Sequence, residues 1–490
     1  MKHLSLLLLV LLSLSSPLHA QEYNILEYGA VPDGQTLNTQ AIQSAIDAAH
    51  AAGGGQVIVP KGRFLSGSIV LKSGVDLHLE KKAVLLGSAR LADYQRLNRW
   101  KALVLADSAD NISITGKGTL DGQGARLGIA IDSLFYVGEI DSVAYEFKEK
   151  RVAAYLRPQV IEFVNCRRAS VRDVTVANAA SWVQSYDRCV DLLIDGIRVE
   201  SDTYWNNDGM DILDCRNVRI TNCYINASDD GICLKSIAPY FGKEGVSDSI
   251  LITNCTVRSS ASAIKLGTWS YGSFRNIEIR DIKVFDTFRS AIAIEMVDGG
   301  SIDGVQVENI KAVNTGNAIF IRLGDREKNR EPGSLKNVVL RNLKVHVPAG
   351  PPDTEYEIRG PALPFFHNTF PASITGIPGH PVQNITLENI EITYPGGGNP
   401  AYANLPLWRL DDVPEQIGLY PEFSMFGELP AWGFYIRHVS GIVLRNVKVR
   451  SKKPDYRPAI IYDDVEDLSL EGVEIPGGDL PANGGSPLGQ

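Results

Sequence analysis

The sequence predicts an all-β fold, a parallel β-helix with an N-terminal capping helix. A short motif recurs along most of the chain, each copy an Asn or a similar turn residue followed by alternating apolar residues: Asn111-Ile-Ser-Ile-Thr-Gly, Asn217-Val-Arg-Ile-Thr-Asn, Ser249-Ile-Leu-Ile-Thr-Asn, Asn276-Ile-Glu-Ile-Arg-Asp, Asn337-Val-Val-Leu-Arg-Asn, Asn384-Ile-Thr-Leu-Glu-Asn and Gly441-Ile-Val-Leu-Arg-Asn. Where no insertion intervenes, the copies return at roughly 22 to 32 residues, an interval that marks a solenoid. A unit that short cannot bury its own apolar face, whereas stacked units share one continuous core. The interval suits three short strands per turn.

The elements follow in order. Met1–Ala20 carries Lys2, an apolar run from Leu4 to Leu14 and a small-residue end at Ala20, the pattern of a secretory signal peptide. Residues 21–490 are then expected to form a single β-helix domain. Asn38 or Thr39 is placed to cap a helix from Gln40 to about Ala52, closed by Gly53-Gly54-Gly55. Its apolar residues Ile42, Ala45, Ile46 and Ala49 share one face. Short strands at Gln56–Val59, Ser68–Leu71, Asp76–Leu79 and Ala83–Leu86 begin the solenoid. Insertions interrupt it at about 124–159, 348–381 and 395–432; the last two are rich in Pro, Gly and aromatics, including Phe365, Phe366, His367, Tyr402, Trp408, Tyr420, Phe423, Phe426 and Trp432. Long insertions on a scaffold of this kind tend to carry its function.

Composition narrows the partners. The apolar content is 44% and the formal charge −9, so a phosphate backbone would meet no basic face and nucleic acid is excluded. No segment beyond the leader is long and apolar enough to span a membrane, so an exported, periplasmic or extracellular chain is expected. The six cysteines fall between Cys166 and Cys255, and Cys166, Cys189, Cys215, Cys223 and Cys255 recur at equivalent turns, which points to stacked buried thiols. No Cys and His spacing suits zinc, and neither metal nor cofactor is expected. Nothing sets an oligomeric state.

The chemistry concentrates in Asn206-Asn207-Asp208-Gly209-Met210-Asp211 and Ser228-Asp229-Asp230-Gly231. Asp208 and Asp229 stand about one repeat apart, which places them on neighbouring strands about 4.8 Å apart. Carboxyls that close repel, so a proton is retained among them near neutral pH. A carboxylic acid beside a carboxylate suits glycosidic bond hydrolysis. Asp and Asn also serve as turn residues, but three carboxyls in register exceed what turns require. In the strands that follow, Ile232 and Leu234 align with Ile264 and Leu266, Ile292 and Ile294, and Ile319 and Ile321 as an inward ladder. Cys233, Lys235, Lys265, Ala293, Glu295, Phe320 and Arg322 then face outward beside the acids. Asn206, Asp211, Lys235, Lys265, Glu295 and Arg322 are thereby the candidate substrate contacts.

These motifs resemble those of the polygalacturonase family, glycoside hydrolase family 28. Asn206-Asn207-Asp208-Gly209 is similar to its Asn-x-Asp-Gly motif and Asp229-Asp230 to its Asp pair, while Arg157-Pro158 and Ser181-Trp182 also match, so the resemblance covers nearly all of the chain after the leader. It implies a right-handed parallel β-helix, the pectin-lyase-like solenoid, and inverting hydrolysis of a pectic poly- or oligosaccharide. It also implies that Asp229 is the general acid and that Asp208 and Asp230 hold the water, with acid and base about 6.5–9.5 Å apart for inversion. Two features depart from the family. Its Gly-His-Gly falls at Ala261-Ser262-Ala263 and its Arg-Ile-Lys at Ala293-Ile294-Glu295. Lys235, Lys265 and Arg322 then take over a galacturonate carboxylate from other rungs, or the central sugar is neutral, as rhamnose is, and Glu295 accepts its hydroxyls. Two alternatives stand beside hydrolysis. One is a polysaccharide lyase, which needs a basic Arg or Lys or bound calcium; the other is a non-catalytic carbohydrate-binding solenoid.

Overall fold

The computed structural model describes residues 21–147, 149–352, 356, 370–400 and 405–476, with the backbone of 482–483. The leader Met1–Ala20 and the aromatics Phe365, Phe366, His367 and Tyr402 lie outside the described residues.

The helix α1 (Thr39–Ala51) buries Ile42, Ala45, Ile46 and Ala49 in the same core cluster as Val57 and Leu77 of the first strands. Asn38 does not cap it through its side chain. The Asn38 amide is buried instead, accepting from Val31 N at 2.6 Å and donating to Thr36 O at 2.7 Å, so it fastens the preceding loop. From there the chain winds as a parallel β-helix. One sheet runs through β1 (Gln184–Asp187), β2 (Met210–Leu213), β3 (Ile232–Ser236), β4 (Ile264–Ser270) and the ends of the long β5 (Ser273–Met296) and β6 (Ser301–Leu323). It continues into β7 (Ala372–Thr375) and the start of β8 (Phe434–Lys453). Every pairing along this sheet is parallel.

Register decides which residues share the interior. Ile212, Leu234, Leu266, Ile294, Ile321, Ile374 and Ile436 are paired in succession, and all are fully buried. The outward positions are likewise in line: Asp211 pairs with Cys233, Cys233 with Lys265, Lys265 with Ala293 and Ala293 with Phe320, while Glu295 pairs with Arg322.

The repeating Asn explains the bends. Asn309, Asn342, Asn389 and Asn446 all adopt left-handed backbone, a conformation Asn tolerates better than most residues. Their amides then bond rung to rung, Asn342 to Asn309 at 3.0 Å, Asn389 to Asn342 at 3.0 Å and Asn446 to Asn389 at 3.1 Å. The cysteines do stack as buried free thiols, their sulfurs turned to main-chain carbonyls such as Tyr186 O and Thr221 O. Cys233 differs, lying on the outward face with Lys235 Nζ 3.0 Å from its sulfur.

The interruption near 124–159 holds the helix α2 (Gly124–Tyr136) and a small antiparallel pair, Tyr145–Glu146 with Arg151–Val152. The segment before β8 packs Leu410, Val413, Phe423 and Phe426 into a second apolar cluster with Phe320 and Tyr435 on the outer side of the sheet. That cluster holds the insertion over the row of outward charges. Among the described residues, no helix is long and apolar enough to cross a membrane.

Candidate active site

Two successive turns that lead into the outward sheet assemble the acids, Asp208 from the first and Asp229 and Asp230 from the second. Because Met210 pairs with Ile232, Asp208 stacks on Asp230, and Asn207 stacks on Asp229. The expected stacking of Asp208 on Asp229 is thus off by one residue. The error comes from matching acids by type; the rung is set by the main-chain ladder, in which Gly209 N donates to Asp230 O at 2.8 Å and Gly231 N to Ser262 O at 2.8 Å. The three carboxyls still converge, each offering an oxygen within 4.8 Å of the others. Asp208 and Asp230 are buried, and Asp229 is partly open.

Lysines stabilise this crowding. Lys235 Nζ lies 3.3 Å from Asp211 and 3.9 Å from Asp208, and Lys265 Nζ lies 3.0 Å from Asp230 and 3.7 Å from Glu295. Ser262, where the resemblant family has histidine, gives its main-chain N–H to Asp230 at 3.1 Å. Asn206 Nδ2 is 3.4 Å from Asp229, and its own carbonyl accepts from the buried Arg157 at 2.6 Å. Asn207 is spent on main-chain carbonyls of Ala179 and Ser181.

The charges separate the acids. Burial, then Asp211 and Asp229, push Asp208 well above the ordinary carboxylate range. Burial, then Asp230, raise Asp229. Asp211 is raised by burial to about 7 despite Lys235, and Glu295 by burial to about 7 despite Lys265. Burial would raise Asp230 too, yet Lys265, Lys235 and Arg289 outweigh it and hold Asp230 below its usual value. Within a cluster whose oxygens lie within 4.8 Å of one another, Asp230 is therefore pushed down while Asp208 and Asp229 are pushed up.

The remaining sequence candidates fall beneath this layer. Lys235, Lys265, Glu295 and Arg322 are 5%, 1%, 1% and 1% exposed, so they are enclosed rather than open to a sugar. Glu295 sits against Lys265, not against Lys235 or Arg322. The Arg322 guanidinium donates to Gly376 O at 2.8 Å and Glu415 O at 2.6 Å, which ties the insertion before β8 to the sheet.

Arg289, Tyr420 and Glu422 escape the sequence reading as site residues. Arg289 occupies the same turn position as Asp229, two rungs further on, as the pairings through β4 and β5 show. Its Nε lies 3.3 Å from Glu422, and its charge acts on both Asp229 and Asp230. The Tyr420 hydroxyl is 2.9 Å from Lys265 Nζ, and its ring lies near Lys265, Arg289 and Arg326. Counting turn positions from the inward ladder would have found Arg289; Tyr420 was noted only as one aromatic among several.

A β-helix with crowded carboxyls on an outer sheet, one ionised and one partly open, defines a glycoside hydrolase built on a solenoid. The family model of the glycosyl hydrolases family 28 matches residues 51–356, more than half of the chain. The chain belongs to that family. A probable polygalacturonase of Vitis vinifera is 26% identical over 344 residues, covering 66% of this chain and 60% of its own length. An exo-poly-α-D-galacturonosidase of Dickeya chrysanthemi is 25% identical over 436 residues, covering 75% of this chain and 71% of its own. Among solved structures, the family 28 exopolygalacturonase of Yersinia enterocolitica superposes with a TM-score of 0.70 at 18% identity, over 93% of this chain and 79% of its own, a likeness of fold.

Proposed function

We propose that this chain is an exported enzyme that hydrolyses glycosidic bonds of a pectic polysaccharide with inversion. Asp229 protonates the leaving oxygen, while Asp208 and Asp230 hold the attacking water. The observation that carries this reading is the convergence of three carboxyls within 4.8 Å, with their neighbours pushing Asp229 up and Asp230 down. Asp229, partly open and raised, retains a proton to give; Asp230, lowered by Lys265, Lys235 and Arg289, is ionised to receive one. Asp208, protonated through burial and its acidic neighbours, orients the water between them. Lyase chemistry finds less support, because Lys235 and Lys265 are buried and ion-paired with Asp211 and Asp230, which favours their charged form over that of a base. The leader Met1–Ala20 supports export.

Asp229→Asn tests the assignment. It should lower kcat by about two to four orders of magnitude on pectic fractions, at an unchanged melting temperature. Turnover near that of the unsubstituted enzyme would sink it. The approach of the carboxyls to within 4.8 Å bears on stereochemistry, because inversion with acid and base on opposite faces usually uses about 6.5–9.5 Å. The carboxyls here stand closer than that range, so the configuration of the product is a direct test of the proposed inversion. Proton NMR of the first-formed product should show the inverted anomer; a retained anomer would make one of the three aspartates a nucleophile.

A further inference from the structure

A cavity of about 480 Å³ opens on the same side of the solenoid, beyond Trp182. Trp182 forms the wall between the two: its ring lies 5.1 Å from Lys235 Nζ on one side, and 5.1 Å from Trp100 and 5.2 Å from Trp269 on the other. Six separate stretches of chain line the cavity, including Tyr240 and Phe241, which are 60% and 54% exposed, and Tyr155 from the interruption near 124–159. Large rings left open to water in one concave place mark a binding surface.

The charges within the cavity select its occupant. Arg99 is the cation of the lining, and it is already committed, 3.3 Å from Asp187 and lying over the Phe241 and Trp269 rings at 5.2 and 5.8 Å. Two carboxylates complete the lining: Glu146, paired with Arg151 at 2.9 Å, and Glu327, which accepts from the Tyr271 hydroxyl at 2.8 Å. A uronate entering here would meet Glu327 beside two pairs already closed, Arg99 with Asp187 and Arg151 with Glu146, so the lining keeps no cation for its carboxylate. A neutral pyranose would instead lay its C–H face on the rings and give its hydroxyls to the two carboxylates.

We propose that this cavity is a subsite for a neutral pyranose of the pectic chain, stacked on Trp269 and Tyr240 and closed to uronates by Glu327. The proposal rests on the pectic reading of the acid cluster but not on its mechanism. Binding can therefore be measured without turnover, in the full chain carrying Asp229→Asn, by tryptophan fluorescence and calorimetry. The probes are a rhamnogalacturonan hexasaccharide, in which every second sugar is neutral, and hexagalacturonate. The first should bind more tightly. Tyr240→Ala should weaken it about tenfold and so narrow the difference between the two probes. Glu327→Gln should raise hexagalacturonate affinity several-fold, a gain that mere disturbance of the fold would not produce. The subsite is refuted if Tyr240→Ala weakens both probes equally, if it weakens neither, or if Glu327→Gln fails to admit hexagalacturonate. Failure of the hydrolase reading would show separately, as absence of products from every pectic substrate with the unsubstituted enzyme.

Discussion

Lys265 is the residue on which the acid and base division turns. It touches Asp230 and Glu295 at once and is topped by Tyr420, so its charge is fully enclosed. Removing it leaves Asp230 buried with less compensation, and burial then drives that carboxyl upward. The base must be ionised, so activity is lost as pH falls through the Asp230 value. The acid must be protonated, so activity is lost as pH rises through the Asp229 value. Lys265→Met should therefore move the acid limb of the kcat/KM profile to higher pH, with at least about a tenfold loss of rate below neutrality. A profile that loses height but keeps its acid limb in place would rule out this role. Much of this was legible in the sequence, because strict alternation placed Lys235, Lys265 and Glu295 on the outward face. Their depth was not. Period two states which face a side chain takes, but the cover comes from Tyr420, a partner 155 positions away with no local signal.

The insertion before β8 is clasped at its base by a compact ionic group. Glu415 bonds His438 Nε2 at 3.1 Å and Arg437 at 3.0 Å, while His438 Nδ1 bonds Asp464. Burial alone would lower His438, yet Glu415 and Asp464 outweigh burial and the neighbouring Arg437 to hold it above the ordinary histidine value. The group is raised on folding, so its stabilisation is complete below the unfolded value of about 6.5 and is lost as pH rises through the folded value. Five and seven residues further on, the same insertion delivers Tyr420 to Lys265 and Glu422 to Arg289. Rising pH should therefore loosen segment 405–432 before the solenoid itself. The protection of amides in that segment, taken relative to the intrinsic exchange rate at each pH, should fall above about pH 6.5, and His438→Gln should abolish this dependence. Protection that is flat with pH in the unsubstituted chain would refute the clasp.

Across the whole molecule, stability is a sum over neighbouring rungs, so damage at one bend is felt locally and then along the stack. Asn342 tests this, being left-handed and bonded to the rungs on both sides. Asn342→Ala should cost about 1–3 kcal/mol through backbone strain and the lost amide bonds, and Asn342→Gly distinctly less, because glycine tolerates the conformation. Equal melting temperatures for the two variants would show that the conformation carries none of the cost. The repeat made these bends readable before any coordinates, since an Asn closing each apolar run fits only a turn. What repetition could not convey was the rung offset of Asp208. A motif match pairs residues by type, whereas the solenoid pairs them by hydrogen-bond register. The stacked thiols carry a different consequence. Six cysteines packed against carbonyls are shielded once the coil has wound, yet each is open to oxidation while the chain is still extended in the oxidising compartment that the proposed export implies. The native protein should thus ignore oxidants and reductants alike, and its period of vulnerability is the interval before winding is complete. Its yield is then a race between coiling and chemistry, decided by the redox potential of the place where it folds.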